Sequence, residues 1–388
     1  MAKYDVLVLG LGAMGSAAAY QAARRGLKVL GLDQFSPPHG LGSSHGETRI
    51  TRLAIGEGAH YTPLVLRSHE LWREIEQETG ANLLTVTGGL VISSPAKTAT
   101  LHVPDFFANT VAAAEKHRIA YRLLTAPEIQ ERFPQFRVRD DELGYYEPDA
   151  GFLRPEACVA AQLNLAKKYG AEIHIDEKAL GFEASANGVT VETQQGSYAA
   201  ERLILAAGPW LPGLIGARYA SPFKVLRQVL FWFAVKGDID PFLPGNCPIF
   251  IWELQGPEQA IYGFPAIDGP QGGVKIATQQ YEETTTPDSV NRHVSDEEAS
   301  EMYRRYIAPY LPGISPICVK AVSCLYTVTP DAGFVIDFHP EWDRVIVASP
   351  CSGHGFKHSA AIGEALAELV VAGKSRFDLS AFRIGRFA

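Results

Sequence analysis

The segment from the first strand to Asp33 carries the pattern that most limits what this chain can fold into. An apolar, β-branched run, Tyr4–Leu9, stops at Gly10-Leu11-Gly12-Ala13-Met14-Gly15, which fits G-x-G-x-x-G. The sequence then predicts an alanine-rich helix over 16–25 and a second strand over 27–32 that ends on Asp33. Strand, glycine turn, helix, strand and acid in this order indicate a Rossmann-like unit, with the acid roughly twenty residues past the first glycine.

Each glycine of the turn has a separate physical task. Gly10 permits the tight turn, Gly12 lets a pyrophosphate approach the backbone, and Gly15 lets the helix pack closely on the strand. The N-terminus of the helix offers unpaired N–H groups to that pyrophosphate. Asp33 is expected to accept hydrogen bonds from the hydroxyls of an adenosine ribose. The motif alone predicts an ADP-containing dinucleotide and leaves NAD and FAD both open.

Length and composition exclude several other classes of protein. At 388 residues the chain is long for one core, so two domains are expected. A net charge of −8 without a cluster of Lys and Arg disfavours nucleic acid as a partner. The longest apolar stretch, 203–217, is broken by glycine and proline and is too short to span a membrane. The five scattered cysteines lack C-x-x-C spacing, which disfavours a disulfide scaffold or a metal site and favours the cytoplasm.

Strands and helices alternate along the chain, which predicts an α/β architecture. Beyond the first unit, the sequence predicts a helix over 155–169, a strand over 171–175, a hairpin over 188–200 and a buried strand over 202–210. Near the C-terminus, a second strand–glycine–helix unit comprises a strand over 344–348, a glycine turn over 352–357 and a helix over 358–371. This second unit can aim another helix N-terminus at the same cofactor. A site built from both ends of the chain suits FAD better than NAD.

Between about Ser221 and Cys318 the predicted strands become rich in aromatic residues, as expected of a sheet with one face turned to a ligand cavity. We therefore expect a Rossmann-like FAD-binding domain assembled from discontinuous segments and a separate α+β substrate domain with a mixed or antiparallel sheet. The FAD-binding domain is assigned residues 1–87, 148–216 and 319–388. The substrate domain is assigned residues 88–147 and 217–318.

Five motifs, in order along the chain, resemble the family of monomeric sarcosine oxidases and N-methyltryptophan oxidases, FAD-dependent amine oxidases of the D-amino-acid-oxidase-like, glycine-oxidase-related group. They are the N-terminal fingerprint, His45–Arg52, Tyr262–Pro265, Cys324–Thr327 and Ser352–Lys357. The resemblance covers essentially the whole chain. It implies a flavoprotein oxidase that takes two electrons from an N-methyl or other secondary amino acid and passes them to O₂. An imine and hydrogen peroxide form, and hydrolysis of an N-methyl substrate's imine gives formaldehyde.

The resemblance also implies that FAD is bound covalently, through a cysteine thioether at the flavin 8α-methyl group. The matching residue is Cys324, although a lone cysteine in a strand is more often a small buried hydrophobic residue. Its spacing to Ser352–Lys357 favours it over Cys318, six residues away. The other residues expected at the cofactor are Gly10, Gly12, Ala13, Met14, Gly15, Asp33, Gln34, Ser43, Arg49, Gly353, His354, Gly355, Phe356 and Lys357.

The family pattern gives the cationic residues two tasks. A planar guanidinium can hold a substrate carboxylate with paired hydrogen bonds, and the resemblance places this task on Arg52 together with Lys357. Lys275 matches the family's oxygen-activating lysine, because a buried cation beside the reduced, anionic flavin favours reduction of O₂. Arg49 accompanies Lys275 across the flavin.

Four further residues match positions of the family's active site. His45 and Tyr262 are expected to donate hydrogen bonds and shape the pocket. The chain departs from the family at Ile55, where tyrosine is usual, and at Gln279, where histidine is usual. With both placed on the substrate side, their loss of polarity makes a bulkier or cyclic secondary amino acid a candidate in place of sarcosine.

Other functions remain open at this point. A flavin dehydrogenase would pass electrons to a quinone or an electron-transfer flavoprotein, and an oxidase could prefer a cyclic substrate such as proline or pipecolate. A nicotinamide dehydrogenase and a non-enzymatic nucleotide-binding module fit the glycine turn alone, whereas Lys275 favours an oxidase. We expect a cytoplasmic monomer whose partners are the amino acid substrate and O₂, with no metal, nucleic acid or membrane.

Overall fold

Alternating strands and helices make up the described part of the chain, residues 4–99 and 101–387 of a computed structural model. The strands are β1 (Tyr4–Leu9), β2 (Val29–Leu32), β3 (Arg49–Thr51), β4 (Leu84–Val86), β5 (Gly89–Ser93), β6 (Arg122–Thr125), β7 (Leu143–Glu147), β8 (Gly151–Leu153), β9 (Glu172–His174), β10 (Ala179–Ser185), β11 (Gly188–Thr193), β12 (Ser197–Leu205), β13 (Lys224–Val235), β14 (Ile249–Trp252), β15 (Ile261–Gly263), β16 (Val274–Thr278), β17 (Thr284–Thr285), β18 (Ile314–Val328), β19 (Val335–His339) and β20 (Trp342–Ser349). The helices are α1 (Ala13–Arg24), α2 (Thr62–Thr79), α3 (Phe106–His117), α4 (Ala126–Arg132), α5 (Pro155–Lys168), α6 (Ala217–Ala220), α7 (Asp296–Met302) and α8 (Ser359–Ala372).

The first large sheet is built on the predicted N-terminal unit. Its parallel strands run in the order β9-β2-β1-β12-β20, and β10, β11 and β19 extend it with antiparallel pairs. Val6, Leu7 and Val8 are fully buried, as expected of parallel strands that are covered on both faces. The parallel strands bring the segments from the two ends of the chain side by side.

Three helices cover one face of this sheet. α1 packs against both α5 and α8, and its small buried residues Ala17, Ala18 and Ala19 allow this close approach. α2 packs on α8 and adds Leu64, Val65 and other apolar side chains to the same core. No helix within residues 4–99 and 101–387 is both long and apolar enough to cross a membrane.

Some element boundaries differ from the sequence prediction. α1 starts at Ala13 instead of residue 16, because Gly12 already occupies the N-cap position. β2 starts at Val29 instead of residue 27. The predicted hairpin strand and the strand over 202–210 are one continuous strand, β12, which ends at Leu205. β12 pairs parallel with β1 along one edge. On its other edge it pairs antiparallel with β11 in its first half and parallel with β20 in its second half.

The second large sheet holds the aromatic strands. Its order is β17-β13-β16-β15-β14-β5-β7-β6, and β18 pairs along the whole length of β13. Phe231, Phe250 and Trp252 lie in its core. A small sheet, β3-β8-β4, lies apart from both large sheets in strand pairing. The domain boundary assigned at 318/319 falls inside β18, so Cys324 is carried by the second sheet and not by the dinucleotide sheet.

Candidate active site

A cavity of about 560 Å³ is lined by residues of both large sheets and contains most of the residues expected at the cofactor. The expected cofactor residues on its wall are Gly10, Gly12, Ala13, Met14, Asp33, Gln34, Ser43, Arg49, Cys324, Gly353, His354, Gly355, Phe356 and Lys357. Arg52, Tyr262 and Gln279 of the expected substrate side also line it. The tertiary structure therefore brings together residues that lie hundreds of positions apart in the sequence.

The first glycine turn forms part of the cavity wall, and two of its glycines are sterically required. Gly10 has a φ of +90°, and a Cβ added there would lie 2.6 Å from the carbonyl oxygen of Ala206. A Cβ on Gly15 would lie 1.7 Å from the carbonyl oxygen of Gly10. Gly15 is thus a packing residue beneath the turn, and it does not line the cavity.

Asp33 has a second task that the sequence did not predict. One carboxylate oxygen accepts from the backbone N–H of Leu11 at 2.8 Å, and the other accepts from that of Phe35 at 2.9 Å. Burial raises the pKa of Asp33, while these two hydrogen bonds oppose the shift. The carboxylate therefore fixes the shape of the glycine turn. This task is separate from the ribose binding that the sequence predicted for Asp33.

The second glycine turn approaches the cavity from the C-terminal end of the chain. Gly353 has a φ of +83°, and a Cβ there would meet the hydroxyl of Tyr281 at 2.7 Å. A short 3₁₀ turn, Phe356–His358, leads directly into α8. The strand, turn and helix order predicted for this region is what the structure contains.

Cys324 lies on β18 in an environment that favours a thiolate. Its side chain is 1% exposed and lines the cavity, and its Sγ lies 3.5 Å from a guanidinium nitrogen of Arg49. Burial raises the pKa of Cys324, but His45, Arg49 and Lys275 outweigh it and bring the pKa down to about 7. A cysteine with such a pKa is a nucleophile near neutral pH.

Two other cysteines lie nearby without sharing this environment. Cys318 is on the same strand beyond an irregularity in the β13–β18 pairing, is outside the cavity wall, and donates from its Sγ to the carbonyl of Lys320 at 3.2 Å. Burial raises the pKa of Cys318. Cys351 lines the cavity beside the second glycine turn and was not singled out from the sequence. Burial also raises the pKa of Cys351, whose Sγ accepts from the backbone N–H of Thr327 at 3.4 Å.

Lys275 lies on β16 with its side chain buried behind the cavity wall. Its ammonium donates to the carbonyls of Gly46 at 2.7 Å and Thr48 at 2.9 Å, and to the Thr48 hydroxyl at 3.2 Å. Burial, and then the charge of Arg49, lower the pKa of Lys275 well below its ordinary range. Three oxygen acceptors around the nitrogen favour the charged form.

Arg49 connects the cavity wall to Lys275. One guanidinium nitrogen donates to the carbonyl of Thr48 and the other to the carbonyl of Ser43, both at 2.8 Å. Thr48 therefore accepts from both cations through one carbonyl oxygen. His45 is 7% exposed and lies outside the wall, where it acts on Cys324.

Another part of the cavity wall is a buried cluster of charges. Arg52 donates to Glu57 at 2.5 Å and lies 4.8 Å from the ring centre of Phe106. Lys357 donates to the carbonyl of His354 at 2.6 Å and lies 4.0 Å from Glu57. Burial would raise the pKa of Glu57, but the charges of Arg52 and Lys357 hold it well below its ordinary range.

Two members of this cluster were missed by the sequence analysis. Glu57 lies between two glycines, five residues after Arg52. Its closeness to Arg52 in the sequence is the only signal that could have indicated a role at the site, and this signal is weak. His102 comes from the connection between β5 and α3, and its Nε2 lies 3.6 Å from a carboxylate oxygen of Glu57. Its ring stacks on that of His354 with 5.2 Å between centres. Nothing in the local sequence of His102 indicates this contact.

The expected polar and specificity residues divide into two groups. Tyr262 is on β15 and lines the cavity, and burial raises its pKa well above its ordinary range. Gln279 also lines the cavity and donates to the hydroxyl of Tyr326 at 3.3 Å. Ile55 does not line the cavity: it is fully buried in the core beneath it, packed with residues of α2 such as Leu64. The predicted substrate contact of Ile55 is corrected accordingly.

The polar groups on the cavity wall suit a flavin dinucleotide. Ser43 Oγ, Ser349 Oγ and His354 Nδ1 are buried without a hydrogen-bond partner among the described residues, although buried polar groups are almost always paired. Two glycine turns lead into helix N-termini, which suit the charge of a pyrophosphate. Cys324 adds a nucleophile and Arg49 a fixed cation on the same wall.

Comparison with known proteins agrees with this geometry. Residues 5–369 match the FAD dependent oxidoreductase (DAO) family. The chain is 40% identical over 386 residues to a monomeric sarcosine oxidase of Streptomyces avermitilis, covering 99% of this chain and 98% of that protein. It is 35% identical over 390 residues to an N-methyl-L-tryptophan oxidase of Escherichia coli, covering 99% of this chain and 100% of that protein.

Solved structures resemble the fold over nearly the whole chain. The amino acid oxidase NikD, described as essential for nikkomycin biosynthesis, superposes with a TM-score of 0.82 at 24% identity, covering 99% of this chain and 98% of NikD. An L-proline dehydrogenase from P. horikoshii gives a TM-score of 0.81 at 21% identity, covering 100% of this chain and 98% of that one. At these identities the likeness establishes the fold.

Proposed function

The chain belongs to the FAD-dependent oxidoreductase family, and from this membership we propose that it is an oxidase of N-methyl or other secondary amino acids. The substrate loses two electrons and two protons from its CH–NH bond and becomes an imine, which water hydrolyses. O₂ receives the two electrons and two protons and becomes hydrogen peroxide. For an N-methyl substrate the products are formaldehyde and the demethylated amino acid.

The observation that carries this proposal is the charge balance at the Arg52 end of the cavity. Arg52 and Lys357 supply two buried positive charges against one negative charge on Glu57. Arg52 and Lys357 therefore share one carboxylate within the described part of this cluster, and a buried charge is costly unless it is fully paired. A single carboxylate would balance the excess positive charge of Arg52 and Lys357. An amino acid with an uncharged side chain carries one such carboxylate.

The remaining surface near this cluster indicates where the rest of the substrate lies. Phe106, Ile251 and Phe264 line the same cavity. The ring of Phe106 lies under the guanidinium of Arg52, and the ring centre of Phe264 lies 6.1 Å from that of Tyr262. Apolar walls favour an apolar substituent on the amino acid. Because Ile55 is in the core, the preference for a larger substrate rests on Gln279 and on these apolar residues.

When bound, FAD supplies the two-electron chemistry, accepting electrons from the substrate and delivering them to O₂. The residues that hold it are the two glycine turns, Asp33, Ser43 and Arg49. We propose that Cys324 forms the covalent link, which its cavity position and lowered pKa support. Its S–C bond would replace a C–H bond of the flavin 8α-methyl group, and the two electrons and two protons released would pass to O₂ as hydrogen peroxide. Lys275 and Arg49 hold positive charge beside the redox site, where they favour electron transfer to O₂.

A panel of secondary amino acids tests the proposed activity. Purified protein is incubated in air with sarcosine, N-methyltryptophan, proline or pipecolate, and peroxide release is measured beside reduction of an artificial acceptor. We expect peroxide with at least one of these substrates. Turnover with the artificial acceptor and no peroxide in air would instead identify a dehydrogenase.

The flavin link is tested separately by acid precipitation. The yellow colour should stay with the wild-type pellet and move to the supernatant in the Cys324→Ser variant. Cys318→Ser is the matched control on the same strand and should keep its colour in the pellet. Colour retained by Cys324→Ser would mean that another residue carries the flavin. The monomeric state and the cytoplasmic location stay predictions.

A further inference from the structure

The turn at Gly46–Thr48 is the common support of both buried cations. Its backbone is unusual, because Gly46 has a φ of +97° and Glu47, which is not a glycine, has a φ of +68°. The carbonyl of Gly46 accepts from Lys275, and the carbonyl of Thr48 accepts from both Lys275 and Arg49. The direction of these carbonyls therefore decides where the two positive charges lie.

A carboxylate holds the same turn from its other side. One oxygen of Glu156 accepts from the backbone N–H of Gly46 at 2.6 Å and from that of Glu47 at 3.1 Å, and its other oxygen lies 3.2 Å from the Glu47 nitrogen. Glu156 is in the first turn of α5, whose residues Cys158 and Val159 are buried in the core. The packing of α5 against the core therefore holds the position of the Glu156 carboxylate.

The planarity of one peptide group couples the two sides of the turn. The carbonyl of Gly46 and the N–H of Glu47 belong to the same trans peptide unit, so they point in opposite directions. Glu156 accepts on the N–H side while Lys275 donates on the carbonyl side. If this unit rotated, its N–H would face the ammonium of Lys275 and the acceptor would be lost. The glycine at one end of the unit makes such a rotation sterically accessible.

We propose that Glu156 is a positioning residue that fixes the Gly46–Thr48 carbonyls and, through them, the charges of Lys275 and Arg49 during the reaction with O₂. The role rests on the proposed function, in which these cations act on the oxygen side. Glu156 acts as a hydrogen-bond acceptor, and its negative charge is secondary.

Glu47 offers a matched control on the same turn. Its side chain forms an ion pair with Lys320 and makes no hydrogen bond to the Gly46–Thr48 backbone. Both Glu47 and Glu156 act electrostatically on Lys275. Glu47→Gln therefore removes a negative charge near Lys275 and leaves in place the Glu156 carboxylate, which accepts from the N–H groups of Gly46 and Glu47.

Rapid-mixing kinetics of the two half-reactions test the proposal in the FAD-loaded enzyme. In Glu156→Ala, reoxidation of reduced enzyme by O₂ should slow by about tenfold or more, since small misplacements of catalytic groups have effects of this size. Anaerobic reduction by substrate should change by less than about twofold, because the proposed role of Lys275 and Arg49 is in the reaction with O₂. Glu156→Gln keeps an acceptor oxygen and should recover most of the reoxidation rate, and Glu47→Gln should behave as wild type.

Sulfite binding gives a second readout that does not depend on turnover. Sulfite adds to the oxidised flavin as an anion, so its dissociation constant reports the positive charge held near the ring. It should rise about tenfold in Glu156→Ala, in line with the kinetic effect, and little in Glu47→Gln. If Glu156→Ala does not fold, Glu156→Asp, which is one methylene too short to reach both N–H groups, replaces it against Glu156→Gln.

Several results would overturn the role of Glu156. They are equal slowing of both half-reactions, no rescue by Glu156→Gln, an equal effect of Glu47→Gln, or an unchanged dissociation constant for sulfite. Failure of the proposed function has a different outcome, in which Lys275→Met leaves reoxidation by O₂ unchanged. A slow Lys275→Met variant beside a normal Glu156→Ala variant would reject the positioning role alone.

Discussion

Replacing His45 by asparagine should raise the pKa of the Cys324 thiol and slow its reactions as a nucleophile. Burial acts to raise this pKa, and His45, Arg49 and Lys275 together bring it down to about 7 from an ordinary value of 9.0. At pH 7 a thiol with a pKa of 7 is about half ionised, whereas one with a pKa of 9 is about 1% ionised. The complete environment thus raises the reactive fraction by about fiftyfold.

His45 is the first of the three groups that lower this pKa, while Arg49 and Lys275 stay in place in the variant. We therefore expect the pKa of Cys324 to rise by about 1 unit, which is about 1.4 kcal/mol. The thiolate fraction at pH 7 should fall about fivefold on that shift. Attachment of FAD should slow to a similar extent, since the thiolate is the attacking species.

The assay is the pH dependence of alkylation by iodoacetamide in FAD-free protein, with each cysteine followed by peptide mass spectrometry. Cys318 on the same strand is the internal control, because burial sets its raised pKa and His45 is not among its causes. Retention of flavin in the acid pellet after reconstitution gives the attachment rate. An unchanged alkylation profile of Cys324 in His45→Asn, or an equal shift at Cys318, would refute the reasoning.

Three further predictions concern the cations and the glycine turn. Because burial and Arg49 lower the pKa of Lys275, its ammonium loses a proton at a lower pH than that of an ordinary lysine. In wild type, the rate of reoxidation by O₂ should therefore fall as the pH rises through that pKa. In Lys275→Met, reoxidation should be slow at every pH. A rate in Lys275→Met equal to wild type at low pH would contradict this. Arg52→Ala should raise KM for carboxylate substrates by about 10- to 100-fold, as for loss of charge-assisted hydrogen bonds, with a smaller change in kcat; steady-state peroxide release measures both, and an effect confined to kcat would contradict it. Gly15→Ala places a Cβ 1.7 Å from the carbonyl oxygen of Gly10 and should lower Tm and FAD content, whereas Gly12→Ala, whose nearest contact is 3.4 Å, should keep its fold; an equally stable Gly15→Ala would contradict the packing argument.

The N-terminal unit could be predicted because its signals are local. Each signal can be recognised from its neighbours in the sequence. The signals are the glycine with a φ of +90°, the alanines of α1 and the acid after β2. The errors there are confined to element ends. The start of α1 was placed late because the glycine turn was assigned more residues than it uses.

The substrate end of the site could be predicted only in part. Arg52 and Lys357 followed from motifs of the family, but Glu57 and His102 joined them only in the folded chain. Ile55 was wrongly placed on the substrate side, since a one-dimensional pattern does not state which side of a segment faces the core. The contacts of His102 and Lys357 with Glu57 join distant segments, for which local sequence carries no signal.

A dinucleotide-binding unit, a second glycine turn and a set of chemically suitable residues could be predicted without the structure. Glycine conformation, apolar periodicity and residue chemistry are local properties. The folded chain was needed to show that three groups lower the pKa of Cys324 and that none of them acts on Cys318. It was also needed to show that Glu156 accepts from the backbone of Gly46, 110 positions away. Distances, burial and charge coupling arise when segments far apart in the chain pack together. The pKa of a buried group, and with it the chemistry, is a property of that packing.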